Sequence, residues 1–181
     1  MSQIKKVTCH VVTAPVQKPF TSSRGWIYKT RGSCIVEIET NDGIVGWGEC
    51  YGPSAVAKAF IDTQFGPRII GRDPFDVEVI WEDLYNRIKD YGTTGMAISA
   101  ISGIDIALWD IIGKSCGKPI HKLIGGSYRD EVTAYATGLY FIDMNRLIEE
   151  AVEEAIEFKQ NGFTAIKMKI GLGDLKLDIK R

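Results

Sequence analysis

The segment Phe163-Thr-Ala-Ile-Lys-Met-Lys-Ile170 carries the most chemistry in this chain. Side chains alternate across a strand, so Lys167 and Lys169 share one face, with Cα atoms roughly 6 to 7 Å apart. Two ammonium groups on the inner face of a buried strand are costly unless they are used. Each disfavours the other's proton, and desolvation acts in the same direction. That is a route to a lysine able to work as a general base near neutral pH. Ile166, Met168 and Ile170 then face the other way, toward covering helices. Spacing alone leaves a second reading open, an exposed edge strand whose outward lysines guard against aggregation. Three features favour the catalytic reading. The pair closes a parallel strand at its C-terminal end, where α/β sites are built. A helix precedes it and covers one face. The loop Gly171-Leu-Gly173 that follows is small enough to admit a ligand.

Other patterns carry less. Gly43-Ile-Val-Gly46-Trp-Gly48 lies in a hairpin rather than at a strand-to-helix turn, and Gly171-Leu-Gly173 lacks a third glycine and a following Lys-Ser/Thr. Neither is a phosphate cradle. The cysteines stand at 9, 34, 50 and 116, with no CxxC pair, and there are two histidines, His10 and His121. No zinc-type ligand spacing results, and no residue is assigned to a metal. Reduced, mostly buried thiols of a cytoplasmic protein are expected. His121 is expected to be structural or at the surface. Asp105 and Asp110 are expected to cap loops or pair with a buried base. No Ser-His-Asp or Cys-His nucleophile set is visible.

The elements that must position the lysines follow from periodicity. Ile4–Thr13 reads as a strand, and residues 14–31 as a long polar and aromatic loop broken by Pro15, Pro19 and Gly25. Ser33–Thr40 and Ile44–Cys50 form a hairpin about Asn41-Asp42-Gly43. Gly46 and Gly48 suggest close packing or a bulge. Asp73-Pro74 starts a helix with an apolar stripe from 77 to 88. Thr94–Cys116 is a helix apolar nearly all round, stopped by Gly117 and Pro119. It carries Ser99, Ser102, Asp105 and Asp110, which makes it a buried helix rather than a membrane span. Then come strand Val132–Gly138, helix Asp143–Gln160 with a solvated glutamate face, strand Phe163–Ile170, and a helix from Asp174. Strand, helix, strand, helix is a parallel βαβ unit.

The chain therefore divides near 126. Residues 1–126 form an α+β domain of antiparallel hairpin sheet plus helices. Residues 127–181 open an α/β domain too short to cover both faces of a parallel sheet, so the chain reads as unfinished. Its 181 residues bury a core without staples. The 22 basic against 23 acidic residues, net charge −1, argue against nucleic acid or a basic membrane surface as partner. There is no signal-peptide pattern at the N-terminus.

Three stretches, DGIVGWGEC, ISGIDIALWDIIGKSCGKPIHKLIGG and FTAIKMKIG, follow one another in an order that resembles the mandelate racemase and muconate lactonizing enzyme branch of the enolase superfamily. The resemblance covers essentially the whole chain. It implies an α+β N-terminal capping domain followed by the start of a TIM-type barrel, truncated after its second strand. It further implies abstraction of the proton α to a carboxylate, with Mg²⁺ stabilising the enediolate. Lys169 would be the base. Lys167 would tune it and help hold the substrate carboxylate. Phe20, Arg24, Trp26 and Tyr51 would line the substrate side of the capping loops, Arg24 pairing with a distal carboxylate or hydroxyls. The three metal carboxylates of the family come from later barrel strands, so the Mg²⁺ ligands are expected outside this chain. A barrel takes about 250 residues. The expected parent is thus a longer enzyme, an acid-sugar dehydratase or racemase acting on a small carboxylic acid as a homo-oligomer, and this chain alone is expected to be inactive. Muconate-type cycloisomerase and dipeptide epimerase are alternatives with the same lysine pair. A non-catalytic capping or interaction fragment is the alternative of another class.

Overall fold

A computed structural model describes residues 2–23 and 26–181. The chain forms two compact units, Met1–Thr13 with Gly32–Tyr128, and Ala14–Arg31 with Arg129–Arg181.

In the first unit the sheet order is β1 (Ile4–Ser23), β2 (Trp26–Thr40), β3 (Val45–Cys50). β2 pairs antiparallel with β3, Val36 opposite Gly48 and Ile38 opposite Gly46. Cys34, Val36, Ile38 and Thr40 are buried at every second position, the period of a strand with one covered face. Gly43, at φ +87°, makes the turn between them. Two helical segments, α1 (Ser54–Phe60) and α2 (Gly66–Ile69), are joined by a π turn over Ile61–Phe65. Ala57, Ile61, Phe65 and Ile69 are buried along them. Next come α3 (Val77–Arg87), α4 (Met96–Cys116) and the short α5 (Ile120–Leu123).

α4 is the core of this unit. By length and composition it could cross a membrane, yet ten of its residues, from Ala97 to Gly113, are buried within the protein. Its closeness to β3 settles the role of the strand glycines. A Cβ on Gly46 would lie 2.1 Å from the Ala107 carbonyl oxygen, and one on Gly48 1.9 Å from that of Gly103. They mark backbone-to-backbone approach rather than a bulge. Gly117 ends α4 in the left-handed conformation, φ +60°.

The second unit holds β4 (Ala136–Thr137), α6 (Leu147–Gln160), β5 (Ile166–Lys167) and α7 (Leu175–Lys180). β4 and β5 are parallel, Ala136 opposite Ile166 and Thr137 opposite Lys167.

The structure corrects several boundaries. The described residues among 14–31 are not a loop, since 14–23 continue β1 and 26–31 open β2. Proline interrupts a central strand but not an edge strand, and β1 is at the edge. Pro15 and Pro19 are four apart, so their missing donors fall on the same side of the strand. Residues 14–23 and 26–31 group with the second unit, whereas the sequence reading keeps them in residues 1–126. α3 starts at Val77 rather than at Asp73-Pro74, because Asp73 is spent on a tight turn, its carboxylate accepting the Phe75 N–H at 2.9 Å. α6 likewise starts at Leu147, after an Asp143 turn in which the Asn145 N–H donates to Asp143 at 2.9 Å. The expected strands 132–138 and 163–170 shrink to two residues each. Each has one partner strand, and Leu139, just past the first, takes a left-handed φ of +50°.

Candidate active site

The β4–β5 ladder ends at Lys167, so the two lysines are not both strand residues. Lys167 is in β5 and exposed, whereas Lys169 lies beyond the strand and is half-buried. Ile166 and Ile170 are 40% and 63% exposed, so the expected helix cover over that face is absent among the described residues.

Lys169 has a defined setting. Its Nζ stands 5.7 Å from the centre of the Tyr140 ring, within range of a cation–π contact. Its backbone carbonyl accepts a hydrogen bond from Arg181 Nη1 at 2.9 Å. The same guanidinium donates to the Leu139 carbonyl (Nη2, 3.0 Å) and to the Leu147 carbonyl (Nε, 3.2 Å), and rests 4.4 Å over the Phe141 ring. One side chain thus ties together the chain after β4, the start of α6 and the chain after β5. Asp174 caps α7, accepting from the Lys176 and Leu177 N–H groups, and Asp178 on α7 accepts the Gly171 N–H at 2.9 Å. The loop after Lys169 is therefore pinned from the helix that follows it.

The distal parts of β1 and β2 belong to the same unit. The Thr21 N–H donates to the Phe141 carbonyl at 2.8 Å, and the Phe141 N–H to the Thr21 carbonyl at 3.0 Å. Phe20 stacks on Tyr28 with ring centres 5.1 Å apart and leans on Tyr140 at 4.4 Å. Arg31 lays its guanidinium over both hairpin rings, 5.1 Å from Phe20 and 4.8 Å from Tyr28. A continuous cation–aromatic row results, Arg31, Phe20, Tyr140, Lys169.

Of the expected substrate residues, Phe20 is in this row. Trp26 is 60% exposed and touches it through Tyr28, ring centres 6.1 Å apart. Arg24 lies outside the described residues. Tyr51 belongs to the first unit, in the turn after β3, and is 85% exposed. The sequence reading missed Tyr28, Arg31, Tyr140 and Arg181. A signal for Tyr140 was present, because Gly138-Leu-Tyr-Phe141 follows β4 at the same strand end as the lysines. Among the described residues no three His, Cys, Asp or Glu side chains gather as a metal ion needs. The described residues alone do not make a magnesium site. α6 and the chain after it frame an apolar groove, with Val152, Ile156, Phe163 and Ile166 among its lining.

The Mandelate racemase / muconate lactonizing enzyme, N-terminal domain model matches residues 5–125. The chain is 42% identical over 171 residues to D-galactarolactone cycloisomerase of Agrobacterium fabrum, covering 94% of this chain and 45% of that protein. It is 44% identical over 147 residues to arabinonate dehydratase of Saccharolobus solfataricus, covering 80% and 39%. Among solved structures, a racemase from Streptomyces coelicolor with bound magnesium superposes with a TM-score of 0.88 at 34% identity, over 97% of this chain and 49% of that one. The chain thus spans less than half the length of the relatives it matches. A domain match over residues 5–125 and a shared fold carried on into the second unit show that the chain belongs to the mandelate racemase and muconate lactonizing enzyme family of the enolase superfamily.

Proposed function

We propose that this chain is the N-terminal part of a longer enzyme that removes the proton α to the carboxylate of a sugar acid, leading to dehydration, racemisation or cycloisomerisation. Lys169 is the base in this reading, and Lys167 supports it and the substrate carboxylate. The observation that carries it is the setting of Lys169, half-buried, with its ammonium over Tyr140 and its backbone tied by Arg181. The names of the relatives favour sugar acids over dipeptides. Phe20 and Trp26 supply the substrate-facing hairpin, and Arg31 offers planar donors to a distal carboxylate or hydroxyls. Magnesium, bound in the S. coelicolor relative, belongs to the proposal with its ligands outside these residues. A homo-oligomeric assembly and a cytoplasmic location are parts of the same proposal.

The test is exchange of the C2 hydrogen for deuterium across a panel of sugar acids and dipeptides, on the full-length protein. Exchange with a sugar acid is expected, and Lys169→Ala should lower it by about 10²- to 10⁴-fold. Exchange with dipeptides alone would remove the sugar-acid reading, and undiminished exchange by the variant would remove Lys169 as the base.

A further inference from the structure

Leu139 is, among the described residues, the one non-glycine with positive φ, at +50°. A branched side chain in that region is strained, and such strain persists where the surroundings over-determine it. They do so here. The Leu139 N–H donates to Glu154 Oε2 at 2.8 Å, and its carbonyl accepts from Arg181 Nη2 at 3.0 Å. Leu139 is 6% exposed. Two residues on, Phe141 is 1% exposed and pairs both its backbone groups with Thr21. Tyr140 is thus clamped between two fixed, buried neighbours and is itself half-buried, with little freedom in where it points. Its ring meets Phe20 at 4.4 Å and lies beneath the Lys169 ammonium. Arg181, which holds the Leu139 carbonyl, also holds the Lys169 carbonyl, so one guanidinium fixes both partners.

We propose that Tyr140 is a positioning residue for Lys169, its ring, braced on Phe20, seating the lysine nitrogen at a fixed place. This rests on the assignment of Lys169 as base. A lysine side chain has four rotatable bonds, and a base that wanders loses the near-attack geometry on which proton abstraction depends. The face of an aromatic ring attracts the ammonium through its quadrupole and needs no hydroxyl to do so. After abstraction the C2 proton resides on Nζ and the C–H electron pair in the substrate's enediolate, and the ring then holds the ammonium so formed. A packing role alone would not need a strained Leu139 to aim the ring.

Three full-length proteins, wild type, Tyr140→Phe and Tyr140→Leu, test it. In the C2 exchange reaction Tyr140→Leu is expected to lose about tenfold in kcat with little change in KM, while Tyr140→Phe stays within about twofold. A Leu variant with normal kcat, or a Phe variant as impaired as Leu, overturns the proposal. Reductive ¹³C-dimethylation gives a readout free of activity. The Lys169 methyl signal, assigned by its loss in Lys169→Arg, should be displaced by the ring current in wild type and Tyr140→Phe and return to the free-lysine position in Tyr140→Leu. An undisplaced wild-type signal overturns the seat even in an active enzyme. If no sugar acid exchanges, the functional reading fails, and the methyl signal still decides whether Tyr140 seats Lys169.

Discussion

Two aspartates one and a half turns apart on α4 meet opposite fates. Asp110 accepts the Trp47 N–H at 2.9 Å and pairs with Lys114 at 2.6 Å, so it caps the β3 backbone where a loop cap or a buried base was expected. Asp105 departs from that expectation. Burial pushes its carboxyl pKa up, and the negative charge of Glu78 on α3 adds to the effect. The folded protein therefore binds this proton more tightly than the unfolded chain. Stability from the group is full below the ordinary carboxyl range and is lost as pH rises through the raised folded value. Asp105→Asn has no charge to desolvate, so it should melt about 2 °C above wild type at pH 7, the gap closing toward about pH 3. A pH series of thermal melts checks this, and an Asn variant less stable at pH 7 would contradict it. The sequence shows both carboxylates alike on an apolar helix. What separates them is the strand edge that α4 presents to one and the α3 acid it presents to the other.

Elements were legible where period and punctuation agree. The Asn41-Asp42-Gly43 hairpin, the helix ending at Gly117 and the helix from Asp174 stand as read. The choice between close packing and a bulge at Gly46 and Gly48 needed the structure, because only α4 decides it. Gly48→Ala drives a Cβ into the Gly103 carbonyl, which has no rotamer to escape through, and should cost about 3 kcal/mol or more. Gly32→Ala meets nothing nearer than 3.5 Å and should cost less than about 1 kcal/mol. Urea titrations of the two variants read the contrast, and equal midpoints would refute it. The long hairpin was hidden because proline argues against strand until the strand is known to be an edge. The short β4–β5 pair was overextended because nothing in Gly138-Leu-Tyr announces a left-handed leucine.

At the scale of the whole chain, sequence neighbours are not always structural neighbours. Residues 14–31 fold with residues 129–181, so Phe20 reaches Tyr140 across 120 positions of sequence. That pairing was beyond periodicity, although spacing singled out Lys169 and the family resemblance named Phe20. The second unit also keeps Val152, Ile156, Phe163 and Ile166 about 36% to 52% exposed around one groove, beside a two-strand sheet with open edges. A polypeptide of these 181 residues alone should self-associate at micromolar concentration, seen as concentration-dependent sedimentation. A monodisperse, cooperatively melting monomer would contradict that. The Arg181 knot, finally, has a consequence in time. The carbonyls of Leu139, Leu147 and Lys169 all wait for a side chain that the ribosome adds after them, up to 42 positions later. At about 5 to 20 residues per second, the turn that presents Tyr140 stays untied for a few seconds of synthesis. The first unit is free to fold on the ribosome while the end of the second is still being written.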